Sequence, residues 1–158
     1  MKQSIIYFAV VFFTIIGCKS DTAQQQDSPQ VAEIKTSLAP IGRAEIINMY
    51  ETIDYIDYIF FDWDFSMNQS EANAVKAAVT FISDTSPTKI PADCKAIGRM
   101  VFQSKGEIIK EADLHYADNC YFYSFVNESN RPAFQNAMTD QGIAFYQKMF
   151  AQAMAPAQ

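Results

Sequence analysis

The chain has 158 residues, 49% of them hydrophobic, with 18 acidic side chains against 12 basic ones and a formal net charge of −6. That is enough apolar material for one domain with a real core. Nucleic acid and anionic lipid headgroups are excluded as partners, because both need clustered Lys and Arg that this composition does not supply.

The N-terminus reads MKQS, with a single cation, and then IIYFAVVFFTII over residues 5–16, followed by Gly17 and Cys18. A bilayer-spanning helix needs about 20 apolar residues, so this run has the length of a secretory signal core instead. Ile15, Ile16, Gly17 and Cys18 resemble the lipobox of bacterial lipoproteins, with Ile15 where Leu is usual. The resemblance implies removal of residues 1–17, acylation of Cys18 and attachment to a membrane through the lipid. In that family an Asp directly after the cysteine commonly signals inner-membrane retention. Lys19 stands there, so the resemblance favours the outer membrane, with the domain facing the periplasm or the cell surface. Polar residues 18–40, which include a Gln run, Pro29 and Pro40, read as a tether. Its reach as a flexible coil is roughly 25 Å. Residues 41–158 then form a single domain.

In chain order, Ile46, Met49, Ile53, Ile56 and Phe60 fall on one stripe and predict a helix over 43–59. Phe61, Trp63, Phe65 and Met67 alternate with Asp62, Asp64, Ser66 and Asn68, the two-residue period of a half-buried strand. Asn68 and Glu71 resemble a helix start, and Val75, Ala78, Val79 and Ile82 supply the apolar stripe of a helix reaching Ser83. Three strands are predicted at 96–103, 107–116 and 120–126, separated by Gly106 and by an Ala-Asp-Asn turn at 117–119. Asn130 is read as the cap of a final helix with Pro132 in its first turn, with Phe134, Met138, Phe145 and Met149 inward and Gly142 as a point of bending. The order predicts an α+β fold: a small antiparallel sheet, a three-stranded meander plus one further strand, with helices on one face.

An exported chain that spends Cys18 on its anchor keeps Cys94 and Cys120, an even pair that favours a disulfide in an oxidising compartment. There is no CxxC, and two cysteines with one histidine are too few for a tetrahedral zinc site without carboxylate help. In a simple meander the two cysteines sit two strand spacings apart, about 9.6 Å, beyond the roughly 7 Å Cα limit of a bridge. The bond therefore requires the loop holding Pro91 to Asp93 to fold over the sheet edge, or the first and third strands to be neighbours.

Between Arg43 and Lys76 lie Glu45, Glu51, Asp54, Asp57, Asp62, Asp64 and Glu71, with no base. Asp62, Asp64, Ser66 and Asn68 match alternate positions of a calcium-binding EF-hand loop. Met67, however, stands where that loop needs glycine, and Asn73 where it needs a bidentate glutamate. The segment is instead read either as solvated helix and strand faces or as the docking surface for a basic protein. CYFYSFV at 120–126 fits a central strand buried on both sides, or an exposed platform of Tyr121 and Tyr123 that Trp63 joins. His115 is the single histidine, on a strand face with Glu111 and Asp113, and there is no nucleophile elbow, phosphate loop or paired-histidine metal motif. No cofactor is expected. The sequence thus predicts a lipid-anchored module that binds a macromolecule or inhibits one, such as a basic exported protein, and catalyses nothing. Its candidate binding residues are Asp54, Asp57, Asp62, Trp63, Asp64, Tyr121 and Tyr123. The alternatives are a glycan-binding accessory or a small hydrolase using His115.

Overall fold

The structure, a computed structural model, describes residues 34–35 and 37–153. Cys18, the signal segment and the N-terminal part of the tether lie outside the described residues. The fold is α+β, with a six-stranded antiparallel sheet and three helices. In chain order the elements are β1 (Ile34–Lys35), α1 (Arg43–Thr52), β2 (Tyr55–Phe60), β3 (Ser66–Gln69), α2 (Ala72–Thr80), β4 (Ile90–Pro91), β5 (Gly98–Ser104), β6 (Glu107–Ala117), β7 (Cys120–Val126), β8 (Pro132–Ala137) and α3 (Asp140–Ala153). The sheet order is β3-β2-β5-β6-β7-β8, and β1 and β4 form a separate two-stranded pair.

The sheet is larger than expected because two segments read as helix are strands. The helix predicted over 43–59 stops at Thr52, and β2 begins at Tyr55. Ile53, Ile56 and Phe60 fit a helical stripe, but Ile56, Tyr58 and Phe60 also share one face of a strand, and that face is buried. Six ladder partners on β5, from Tyr55↔Gln103 to Phe60↔Gly98, decide between the two periods. At the other end, Asn130 adopts φ 57° and does not cap a helix. The Asn127 carboxamide oxygen accepts from the amides of Ser129 and Arg131, an Asx turn that sends the chain back as β8 against β7. Pro132 opens that strand, a position that requires no ladder donor.

The hairpins of the meander follow local chemistry. Lys105 and Gly106 both take positive φ, 52° and 82°, as a two-residue turn between twisted strands requires. Asn119 does so at φ 60° between β6 and β7. The α2 N-cap is Glu71, whose carboxylate accepts from the amides of Asn73 (3.1 Å) and Ala74 (2.9 Å).

One sheet face carries Ile56, Tyr58, Phe60, Met100, Phe102, Ala112, Leu114, Tyr123 and Phe125. These side chains form a single core with Met49 of α1, Val75, Ala78 and Val79 of α2, and Tyr146 and Phe150 of α3. α3 runs as one helix through Gly142. A Cβ there would come within 2.8 Å of both Phe81 and Met138, so glycine lets the helix approach Phe81. The opposite face has its own small cluster of Ile90, Cys120 and Phe122, with Cys94 packed against it.

The free edge of β8 is covered. Gln135 donates its amide to Ala39, Ala137 donates to Thr85, and Ser83 donates to Ala137. Buried Asn136 ties both covering segments down: its Oδ1 accepts from the Ile41 amide at 2.9 Å, and its Nδ2 donates to Ile41 O (3.2 Å) and Ser83 O (2.8 Å). Part of the stretch read as tether, 34–35 and 38–39, is therefore bonded to the domain through these contacts and the β1–β4 pair.

Candidate functional site

Cys94 and Cys120 are joined by a disulfide, with their Cα atoms 5.9 Å apart. In the sheet β6 lies between β5 and β7, so the cysteines approach by the first of the two expected routes. The loop carrying β4 folds over the sheet, and Ile90 packs on Cys120 and Phe122. Cys120 is 2% exposed, whereas Cys94 is half-buried.

The lone histidine lies in the same place. Register pairs Ala117 with Cys120 and His115 with Phe122, so the four residues form one patch of the outer face. The His115 ring stacks on Phe122 at a centroid distance of 4.1 Å and an interplanar angle of 8°. Its Nδ1 is 3.6 Å from Cys94 Sγ. A disulfide sulfur carries no proton, so at that contact the ring is the donor. The ligand atoms of Cys94, His115 and Cys120 all lie within 4.8 Å of one another. From sequence the two cysteines and the histidine are considered together only to set a tetrahedral zinc site aside, and their convergence in space is missed. The signal was present in the two-residue Asp-Asn turn, which sets the β6–β7 register.

The acidic candidates are strung along β2 and do not converge. Asp54 precedes the strand and is exposed, and its Oδ2 accepts from the Lys105 amide at 2.8 Å. Asp57 lies on the outer face and accepts from Gln103 Nε2 at 3.1 Å. Asp62 and Asp64 are exposed in the bend after β2. The strand between the two groups is roughly 20 Å long at 3.3 Å per residue. The outer face also carries Glu111 and Asp113, with Asp113 Oδ1 held by Arg99 Nη2 at 2.7 Å and Nε at 2.9 Å. Ile59, beside Asp57 on this face, is 49% exposed.

The aromatic candidates separate. Tyr123 is fully buried, which corrects the reading that placed it on an exposed platform. It lies in the core with Tyr58 and Tyr146. Tyr58 donates to Gln69 Oε1 at 2.8 Å and Tyr146 to Met100 Sδ at 3.2 Å, while the Tyr123 hydroxyl makes no well-formed hydrogen bond and neighbours the Tyr146 hydroxyl. Burial, first among the causes, pushes all three phenols well above their usual range. Trp63 and Tyr121 are half-buried members of one aromatic row. Trp63 stacks on Phe65 (5.7 Å) and meets Phe150 (4.6 Å), Phe150 meets Tyr116 (5.2 Å), and Tyr116 meets Tyr121 (5.2 Å). Their rings are occupied with one another at the rim of the core.

Three surface hollows, of about 370, 480 and 330 Å³, are lined by none of the candidate acids or aromatics. Among the described residues no helix is long and apolar enough to cross a membrane. Comparison with protein-family models, with curated proteins and with solved structures finds no match to this chain.

Proposed function

We propose that the chain is a lipid-anchored protein of the bacterial outer envelope whose domain binds a basic exported protein and catalyses no reaction. The supporting observation is the outer face of β2, β5 and β6. Asp57, Glu111 and Asp113 line it, exposed Ile59 offers an apolar contact, and Asp54 and Asp62 flank it at the two ends of β2. Arg99 on the same face is engaged by Asp113. An acidic, partly apolar sheet face suits a partner that brings Lys and Arg, and its field would speed encounter more than it tightens the complex. The glycan-binding alternative has less support, because Tyr123 is buried and Trp63 is packed on Phe65. The hydrolase alternative also has less, since His115 lies against Phe122 and the disulfide.

The test uses the full chain in two arms. Cys18→Ala should leave the protein uncleaved or release it from membranes. A variant still matured and membrane-bound would end the lipoprotein reading. For binding, poly-lysine titrated at rising salt is compared between wild type, a quadruple Asp→Asn variant at 54, 57, 62 and 64, and a control that neutralises Asp93, Glu107, Glu128 and Asp140. Affinity should fall with salt and be lost mainly in the first variant. Equal losses in both would show a general charge effect and no binding face.

A further inference from the structure

We propose that Cys94, Cys120 and His115 form a redox-gated site for a borderline or soft metal ion, with Zn²⁺ the reference case. Oxidised, the two sulfurs make the disulfide and the site is closed. Reduced, the same side chains present two thiolates and an imidazole around one point.

The geometry carries this independently of the acidic face. Zinc sits about 2.1 Å from an imidazole nitrogen and about 2.3 Å from a thiolate, so tetrahedral angles place N and S about 3.6 Å apart and two sulfurs about 3.8 Å apart. His115 Nδ1 is already 3.6 Å from Cys94 Sγ. All three ligand atoms fall within 4.8 Å of one another. Once their bond is cut the sulfurs must separate and Cys120 Sγ must settle at ligand distance from the ring, side-chain rotations that the 5.9 Å Cα spacing and the 4.8 Å bound permit.

The ring is also aimed. It lies flat on Phe122, which is itself buried, so its plane is fixed before any ion arrives. Its own strand places Glu111 and Asp113 on the same face. Three protein ligands leave a fourth position for water or an added ligand, the donor count of open zinc sites.

The chemistry balances with a dithiol reductant. One of its thiolates attacks a sulfur of the Cys94–Cys120 bond and displaces the other as thiolate. Its second thiol then displaces the protein sulfur from the mixed disulfide. The reductant leaves as a cyclic disulfide, having given two electrons, and the protein holds two thiols. Zn²⁺ displaces their two protons on binding.

The experiment takes the full chain in detergent, oxidised or reduced and then freed of reductant under anaerobic conditions. Zn²⁺ is titrated against a chromophoric chelator, and Co²⁺ replaces it to read sulfur-to-metal absorption. Reduced wild type should bind one equivalent and oxidised protein none. His115→Ala should weaken the reduced protein by more than the roughly 10- to 100-fold that losing a ligand's supporting group costs. Far-ultraviolet circular dichroism follows the fold throughout. If reduction unfolds the chain, Zn²⁺ must refold wild type and not His115→Ala. No binding by the reduced protein, equal binding by His115→Ala, or an unfolded reduced chain that Zn²⁺ does not restore would each overturn the proposal.

Discussion

The two faces of the sheet are stabilised by different means. The inner face buries aromatic and aliphatic side chains under three helices, and its largest buried residues include Tyr58, Tyr123, Tyr146 and Phe102. The outer face keeps a polar row and a three-residue cluster of Ile90, Cys120 and Phe122, held in place by the bond to Cys94. Burying apolar area stabilises the first directly. The second holds too little area for that, and its loop is retained by a covalent link that restricts the unfolded chain. Chemistry that responds to redox state or to ions accordingly belongs to the outer face, where a change of state need not dismantle the core.

The largest expected effect tests the inner face by pH. Folding raises the pKa of Tyr58, Tyr123 and Tyr146 above the unfolded value near 10, chiefly by burial. Their contribution is therefore complete below about pH 10 and is lost as pH rises toward the folded values. The unfolded chain releases protons that the folded chain holds, so each phenol lowers stability by about 1.4 kcal/mol per pH unit in that range. Denaturant unfolding between pH 9 and 11.5, with tyrosinate absorbance, should show a steep alkaline loss and three phenols that ionise only on unfolding. If all phenols ionise in the folded protein, this account of the inner face fails.

Truncation compares the faces next. Phe102→Ala empties a fully buried site and should cost about 3–5 kcal/mol. The double change Cys94→Ser and Cys120→Ser opens a link of sequence separation 26 and should cost about 3 kcal/mol. Urea melts would separate them in kind as well. The cysteine variant should unfold from a less restricted denatured state with a larger slope, and Phe102→Ala should not. A cysteine variant as stable as wild type would mean that the outer cluster holds its loop without the bond.

The smallest effect sharpens the inner face alone. The buried Tyr123 hydroxyl makes no well-formed hydrogen bond, its polar neighbour being the Tyr146 hydroxyl, and burying such a group costs about 1–3 kcal/mol. Tyr123→Phe should therefore stabilise the protein by about 1 kcal/mol and reduce the alkaline dependence by one phenol. Tyr58→Phe, which strands Gln69 Oε1, should not stabilise. A destabilised Tyr123→Phe would show that the hydroxyl is satisfied in solution.

Much of this molecule was legible in the sequence wherever short-range chemistry decides the backbone. The Lys105-Gly106 and Asp118-Asn119 turns, the strands they join, and α2 with its apolar stripe follow from residues a few positions apart. The pairing of Cys94 with Cys120 was legible too, as an expectation that rested on reading Cys18 as an anchor. Tertiary structure decided the rest. Residues 53–60 satisfy a helical and a strand period at once, and only the ladder with β5, some 40 positions on, selects the strand. Residues 132–137 become β8 because β7 offers an edge, and Asn136 is buried because Ile41 and Ser83 arrive to bond it. The acids along β2 stay apart because a strand spaces them linearly, whereas Cys94, His115 and Cys120 meet because β-pairing and a folded-over loop bring distant positions within bonding distance. Local sequence carries the free energy of turns and caps. Which face is buried, and which side chains meet there, depends on contacts that exist only once the whole sheet has formed.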